Sequence, residues 1–355
     1  MNVLFLPNFS ATNPYQLKLA ESLEGQGIHV ILSKGKSWLP LIETLRAYRR
    51  LDILHLHWSH PYTRNAFKAA TFLFEVLMLK FTGTKIVWTV HNLLNHEKHA
   101  SRLEMLCNQI IVRLCDQLIV HCLFARGAVI QAYNLPEKIS EKINVVAHGH
   151  YIDTYENKMT PDQARSRLGF AADETVFLSF GMLRPYKGID KLLDAFQQLK
   201  DPKVRLLIVG KPFNESIRAT LDERCHRDPR IHTVLEFVPD DDIQLYMNAA
   251  SAVVLPYQDV LTSGSALLAM SFKKPIIIPR LGCVNELLDE HGSFLFDPHT
   301  EEDGLLQAME QALVCDLDAM GRYNYDLARR LRWSDIGRKT CEVYHQCWSR
   351  SLVKV

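Results

Sequence analysis

The sequence predicts an α/β protein built as two doubly wound domains facing each other across a cleft. Three observations carry this. Short apolar runs of strand length alternate with helical patterns, as in a mostly parallel sheet with crossover helices. The alternation lapses over residues 151–170 and then begins again. The chain has 355 residues, a length for two domains at roughly 100–200 residues each. We expect domains over 1–155 and 156–330, followed by a terminal segment, 331–355.

In the first half, strands are expected at 2–6, 28–32, 51–57, 85–90, 118–121 and 143–147. A polar loop over 8–15 separates the first strand from a helix carrying Leu17, Leu19, Ala20 and Leu23, which ends at Gly25 and Gly27. In the connection, Thr160-Pro161-Asp162-Gln163 combines a capping hydroxyl, proline at the first helical position and glutamine three residues on, a helix start by its own chemistry. The second half repeats the pattern with strands at 176–180, 204–209, 231–238, 252–255 and 275–278. A helix from Lys187 onward places Ile189, Leu192, Leu193, Phe196 and Leu199 on one face. The chain closes in a helix over roughly 334–349. Two alternating halves of similar size imply two Rossmann-like domains.

Composition bounds the function. There are 41 basic and 40 acidic side chains, and 47% of residues are hydrophobic. A near-neutral balance argues against nucleic acid as a partner, because phosphate-backbone binding needs a basic excess. The eight cysteines form no Cys-x-x-Cys spacing of a zinc or redox motif and read as buried, reduced thiols. No basic region precedes an apolar stretch at the N-terminus, so residues 3–7 read as a strand rather than a signal peptide, and the expected location is cytoplasmic. The most apolar region, 66–79, carries Lys68 and Glu75 and is too short to span a bilayer at about 20 apolar residues. It reads as a buried helix, with peripheral contact to the inner face of a membrane as the functional alternative.

Ligands of such sheets bind beyond the carboxyl ends of the strands, so functional residues belong in the loops that follow strands. The loop after 176–180 reads Gly181-Met182-Leu183-Arg184-Pro185-Tyr186-Lys187-Gly188. Cations at a helix start are ordinarily unfavourable. Arg184 and Lys187 make sense if a diphosphate shares the site; the plain alternative is two solvated charges. The loop after 252–255 runs from Pro256 through Tyr257 and Asp259 to Thr262-Ser263-Gly264-Ser265. Small hydroxyl residues and a glycine before an apolar helix form either a phosphate cradle of N–H groups or an ordinary cap. In the first half His57-Trp58 and His91-Asn92 close successive strands, and Asn95-His96-Glu97 follows. Imidazole at a strand end can exchange hydrogen bonds with a sugar hydroxyl, although a structural role is the bland reading. His148-Gly149-His150 reads as cleft contact or hinge. Asp240-Asp241-Asp242 invites a metal, but capping of the following helix explains it, and no metal or cofactor is expected.

At these residues the chain resembles glycosyltransferase family 4 and its relatives with the GT-B fold, over nearly its whole length. The segment FGMLRPYKGIDKLLDAF (180–196) is similar to the family's donor-side glycine–basic–lysine–glycine segment. LLIVGKP (206–212), AASAVVLPYQDVLTSGSALLAMSFKKPIIIP (249–279) and GCVNELL (282–288) resemble the strands and turns that follow it. DILHLHW and VWTVHNLLNHE resemble a subset acting in bacterial polysaccharide or glycolipid assembly.

The resemblance implies a metal-independent enzyme moving a hexosyl group from a UDP- or GDP-sugar to a glycan or lipid-linked sugar acceptor, with retention. It places the donor at Gly181, Arg184, Lys187, Tyr257, Asp259, Thr262, Ser263, Gly264, Ser265 and Glu286. It places the acceptor at Asn13, Tyr15, His57, Trp58 and Asn92. A base, where one is needed, would be His91, His96 or Glu97, and the last helix would cross back to the first domain. One departure stands out: where many family members carry two glutamates around the donor core, this chain has Val260 and Leu268. The competing readings are a sugar-nucleotide epimerase or hydrolase on the same fold and a non-catalytic nucleotide-sugar-binding protein. A nicotinamide dehydrogenase is disfavoured, since no Gly-x-Gly-x-x-Gly follows the first strand.

Overall fold

The computed structural model describes residues 1–11, 13–33, 41–43, 50–93, 102–301 and 303–349. It divides into two compact units, one of Met1–Gly149 with the segment from Leu331 onward, the other His150–Arg330. The boundary therefore falls before the expected residue 155.

The first unit is built on a parallel sheet of six strands: β1 (Asn2–Leu6), β2 (His29–Leu32), β3 (Ile53–Leu56), β4 (Lys85–Thr89), β5 (Gln117–Val120) and β6 (Ile143–Val145), in the order β2-β1-β3-β4-β5-β6. The register, with Val3 opposite Val30 and Ile53, aligns the strand carboxyl ends along one edge. Val3, Phe5, Ile53, Val87 and Ile119 form one core with Leu19 and Leu23 of the helix Pro14–Glu24. That helix starts where it does because Pro14 is pre-set for the first turn and the Asn13 side chain accepts the Tyr15 N–H at 3.0 Å. Asn13, a candidate acceptor residue, is thus used as a cap.

The last helix, Trp333–Ser349, belongs to this unit and adds Ile336, Val343, Tyr344 and Cys347 to its core. Ser22 Oγ donates to the Trp333 carbonyl at 2.6 Å, and Gly337 lies so close to Ser22 that a Cβ would collide with it. The apolar helix Ala66–Phe81 is buried on one side only, through Ala69, Phe72, Val76 and Leu79. Its opposite side leaves Phe67, Phe74, Met78 and Phe81 exposed, Phe81 at 84%. The expectation of a buried helix is corrected to an amphipathic one with an apolar outer stripe.

The second unit has a parallel sheet of β7 (Thr175–Phe180), β8 (Val204–Val209), β9 (Ile231–Val234), β10 (Ala252–Val254), β11 (Ile276–Pro279) and β12 (Ser293–Phe296), in the order β12-β11-β10-β7-β8-β9. Phe177, Leu192, Leu193, Phe196, Leu206 and Met309 sit at its core. Thr160 and Gln163 make the anticipated reciprocal cap at the start of Pro161–Leu168. Strand β12 was not anticipated. Asp240–Asp242 forms a short 3-10 turn leading into the helix Ile243–Ala249. Cys107, Cys115, Cys225 and Cys347 are buried free thiols, whereas Cys315 is an exposed one. No helix among the described residues is long and apolar enough to cross a membrane.

Candidate active site

In the second unit, the loops after β7, β8, β10 and β11 are stitched into one surface at the carboxyl edge of the sheet. Gly181 takes φ +99 at the end of β7, and its carbonyl lies where a Cβ on Gly210, after β8, would sit. Only glycine permits that approach. The chain then makes a 3-10 turn, Pro185–Lys187, and reverses at Gly188 (φ +69) before the helix Ile189–Gln198. The sequence pattern places a helix start at Lys187. Proline before it and left-handed glycine after it make Lys187 the end of a tighter turn instead.

That turn folds the Lys187 side chain back beneath the strand. The residue is 9% exposed, and its Nζ reaches the Phe180 carbonyl at 3.4 Å. Gly181 borders it: a Cβ there would lie 3.1 Å from Lys187 Nζ and 3.8 Å from Ser265 Oγ. Burial, then the neighbouring Arg184 charge, pushes the ammonium down to about 8. It remains protonated at neutral pH. No carboxylate pairs with Lys187 among the described residues. A buried ammonium has three donors to satisfy and is costly to hold unpaired. Arg184 is half-buried, with its guanidinium 5.6 Å from the Phe213 ring centroid.

The second loop is tied to the first by Gln258 N–H donating to the Tyr186 carbonyl at 2.8 Å. A Cβ at Gly188 would collide with the Pro256 carbonyl. Ser263 caps the helix Gly264–Ser271, its Oγ accepting the Ala266 N–H at 3.1 Å and lying 3.0 Å from the Tyr257 hydroxyl. Ser263 and Tyr257 are therefore internal supports, and burial raises the Tyr257 phenol to about 12, so it stays neutral. Gly264 and Ser265 open the helix, where the first-turn N–H groups face outward. Thr262 is half-buried; Asp259 and Glu286 are exposed. Val260 and Leu268 are both buried apolar side chains, so no carboxylate stands in either place.

The first unit gathers its histidines in the same way, at the ends of β3 to β6. His57 Nδ1 lies 3.4 Å from His91 Nε2, His91 Nδ1 lies 3.1 Å from His121 Nε2, and His121 Nδ1 lies 2.9 Å from the Val146 carbonyl. His91 stacks on Trp58 (centroids 4.6 Å apart, 19° between planes) and meets the Tyr15 ring edge-on at 4.8 Å. His55 Nδ1 and Nε2 each lie 2.7 Å from a hydroxyl, of Tyr344 and Thr89. Burial drives all of these imidazoles down, His55 and His148 to about 3 and His121 to about 4. His57 and His91 fall well below their ordinary value, with neighbouring histidines as the second cause.

These positions revise the acceptor assignments. His57, 1% exposed, and Tyr15, 2% exposed, are interior side chains that hold His91 rather than surfaces for a hydroxyl. Trp58 and Asn92 are half-buried. His96 and Glu97 lie outside the described residues. His121, which follows its strand as His57 and His91 follow theirs, passed unnoticed as a strand residue. His148 is half-buried, with Nδ1 donating to the Gly149 carbonyl at 2.8 Å.

Two parallel six-stranded sheets, each with loops gathered at its carboxyl edge, are the architecture of the GT-B fold. A sucrose-phosphate synthase from Thermosynechococcus elongatus has the same fold, with TM-score 0.78 and 17% identity, covering 98% of this chain and 99% of that one. Anabaena HepE in complex with UDP and glucose matches at TM-score 0.77 and 19% identity over 97% of this chain and 99% of its own. The family description "Glycosyl transferases group 1" matches residues 174–314. A GDP-mannose:glycolipid 4-beta-D-mannosyltransferase of Xanthomonas campestris pv. campestris is 30% identical over 287 residues, 79% of this chain and 74% of the relative. The chain belongs to the group 1 glycosyl transferases, and it is a glycosyltransferase.

Proposed function

We propose that the enzyme transfers a mannosyl-type hexose from a GDP-sugar to a hydroxyl of a lipid-linked saccharide, with inversion and without a metal. The observation that carries the donor side is Lys187, a buried ammonium with no carboxylate partner among the described residues, beside Gly181, Ser265 and the opening of the helix Gly264–Ser271. A pyrophosphate supplies the missing negative charge, and charge on the departing diphosphate is what glycosyl transfer must stabilise. With Arg184 assisting, no metal is needed for that task. Guanine and a glycolipid acceptor are favoured because the 30% identical relative carries both in its name. The retention that family 4 implies gives way to inversion here, since a β-linked product from an α-linked sugar nucleotide requires it. Inversion needs a group to take the acceptor proton, and His91 is that group.

A thermal-shift series with GDP, UDP and ADP tests the donor. A ligand at about 100 times its Kd adds roughly 2.7 kcal/mol, so GDP should raise Tm by several degrees and UDP and ADP less. No shift with any nucleotide removes the donor-site assignment. Proton NMR of the first-formed product should show the β anomer; an α anomer restores retention.

The acceptor's lipid gives the outer stripe of Ala66–Phe81 a use. Phe67, Phe74, Met78 and Phe81 recur at helical spacing, the pattern of a helix that lies in a membrane interface. Phe74→Glu with Phe81→Glu should abolish co-sedimentation with anionic vesicles at unchanged Tm. Sedimentation equal to wild type would remove membrane contact from the proposal.

A further inference from the structure

Resting on the reading of His91 as proton acceptor, we propose that His121 is its positioning residue, fixing the tautomer in which His91 Nε2 carries the lone pair. The sheet order sets β3, β4, β5 and β6 side by side, with carboxyl ends about 4.8 Å apart. His57, His91 and His121 follow the first three, and the Val146 carbonyl follows the fourth. Each imidazole spans one gap between strands and hands a hydrogen bond to the next.

The direction of that chain is determined at one end. A carbonyl only accepts, so at 2.9 Å from Val146 O the His121 Nδ1 must bear hydrogen. A neutral imidazole then has a bare Nε2, and the group 3.1 Å from it, His91 Nδ1, must donate. His91 Nε2 is therefore the lone-pair atom. The opposite tautomer would set two lone pairs against each other at that distance. The imidazoles stay neutral because burial disfavours their cations. On its other side His91 Nε2 meets His57 Nδ1 at 3.4 Å, beyond the usual 2.7–3.2 Å of such a bond. That link is the weak one, and an acceptor hydroxyl displaces it.

In the reaction the acceptor O–H bond breaks and its proton goes to His91 Nε2. The oxygen forms the bond to the anomeric carbon, and the bond from that carbon to the diphosphate leaves with its electron pair on phosphate. The imidazolium so formed keeps its Nδ1–H on His121 Nε2, the role that an orienting third group plays in a catalytic triad.

Long-range proton–nitrogen correlation on histidine-labelled wild-type enzyme reads the tautomer directly. His91, assigned by signals lost in His91→Gln, should show a protonated Nδ1 and a bare Nε2. A protonated Nε2 overturns the proposal without any appeal to activity. His121→Leu, which offers no acceptor, should lower kcat roughly 100-fold at unchanged donor KM. His121→Gln, whose Oε1 can stand in for Nε2, should recover most of it. Full kcat in His121→Leu also overturns the positioning role. Wild-type turnover in His91→Gln instead ends the assignment of His91 as base, while the wild-type spectrum still decides its tautomer.

Discussion

Lys187→Met is expected to lower kcat/KM by roughly 30- to 1000-fold, about 2–4 kcal/mol of transition-state stabilisation, while making the unliganded enzyme more stable. The two effects have one cause. Lys187 keeps a charge inside the unit with one long contact to the Phe180 carbonyl. Its descent from 10.5 to about 8 corresponds to about 3 kcal/mol of native-state penalty at neutral pH. Methionine has similar length and no charge, so it fills the same space without that penalty. The sign follows from linkage. Between pH 8 and 10.5 the unfolded chain holds the proton that the folded chain has released. Wild-type stability therefore rises with pH across that window, and the variant lacks the rise. Steady-state kinetics and thermal denaturation of both proteins check this. A variant that loses stability along with activity would make Lys187 a structural residue, and unaltered kinetics would end its donor role.

The second large effect is acid sensitivity. His55, His57, His91 and His121 are buried and His148 is half-buried, and desolvation keeps all five neutral, with His55 and His148 held near 3 and His121 near 4. Below pH 6.5 their unfolded counterparts take up protons that the folded unit refuses. Stability is fully present above pH 6.5 and drains away as pH falls toward 3–4. At pH 5.5 each histidine contributes a loss of about 1.4 kcal/mol, on the order of 7 kcal/mol for the five together. That is comparable to the whole stability of many domains, about 5–15 kcal/mol. Urea titrations at pH 7.5 and 5.5, followed by the fluorescence of Trp58 and Trp333 beside the cluster, should show a midpoint that falls steeply. Carboxylates titrate largely below this window, so equal midpoints would mean that the histidines are not neutral in the native state.

Periodicity made most of the fold legible. Strands β1 and β8 fall where their apolar runs predict, and the cap at Thr160 was readable because its chemistry lies within four residues. What escaped depended on distant partners or on turn chemistry. Strand β12 is four residues long, and its pairing with β11 is what defines it. Lys187 was legible as a cation out of place at a helix start but not as a buried one, because burial depends on Gly188 turning the chain against Pro256. His57 and Tyr15 looked like loop-end ligands. Their enclosure comes from neighbours such as Trp333, far along the chain. His121 needed only the strand-end filter applied one strand further. Its partner is a backbone carbonyl, which no residue pattern announces.

The return of Trp333–Ser349 to the first unit has a consequence for how the protein is made. The bond from Ser22 to Trp333 joins positions 311 residues apart, and Tyr344 meets His55 across 289. During synthesis the second unit, an unbroken stretch, is complete while the first still lacks a piece of its core. All six strands of its sheet are made by Val145, but the core they share with that helix stays uncovered until the ribosome delivers it. Late closure of so distant a contact makes this unit the slower to mature.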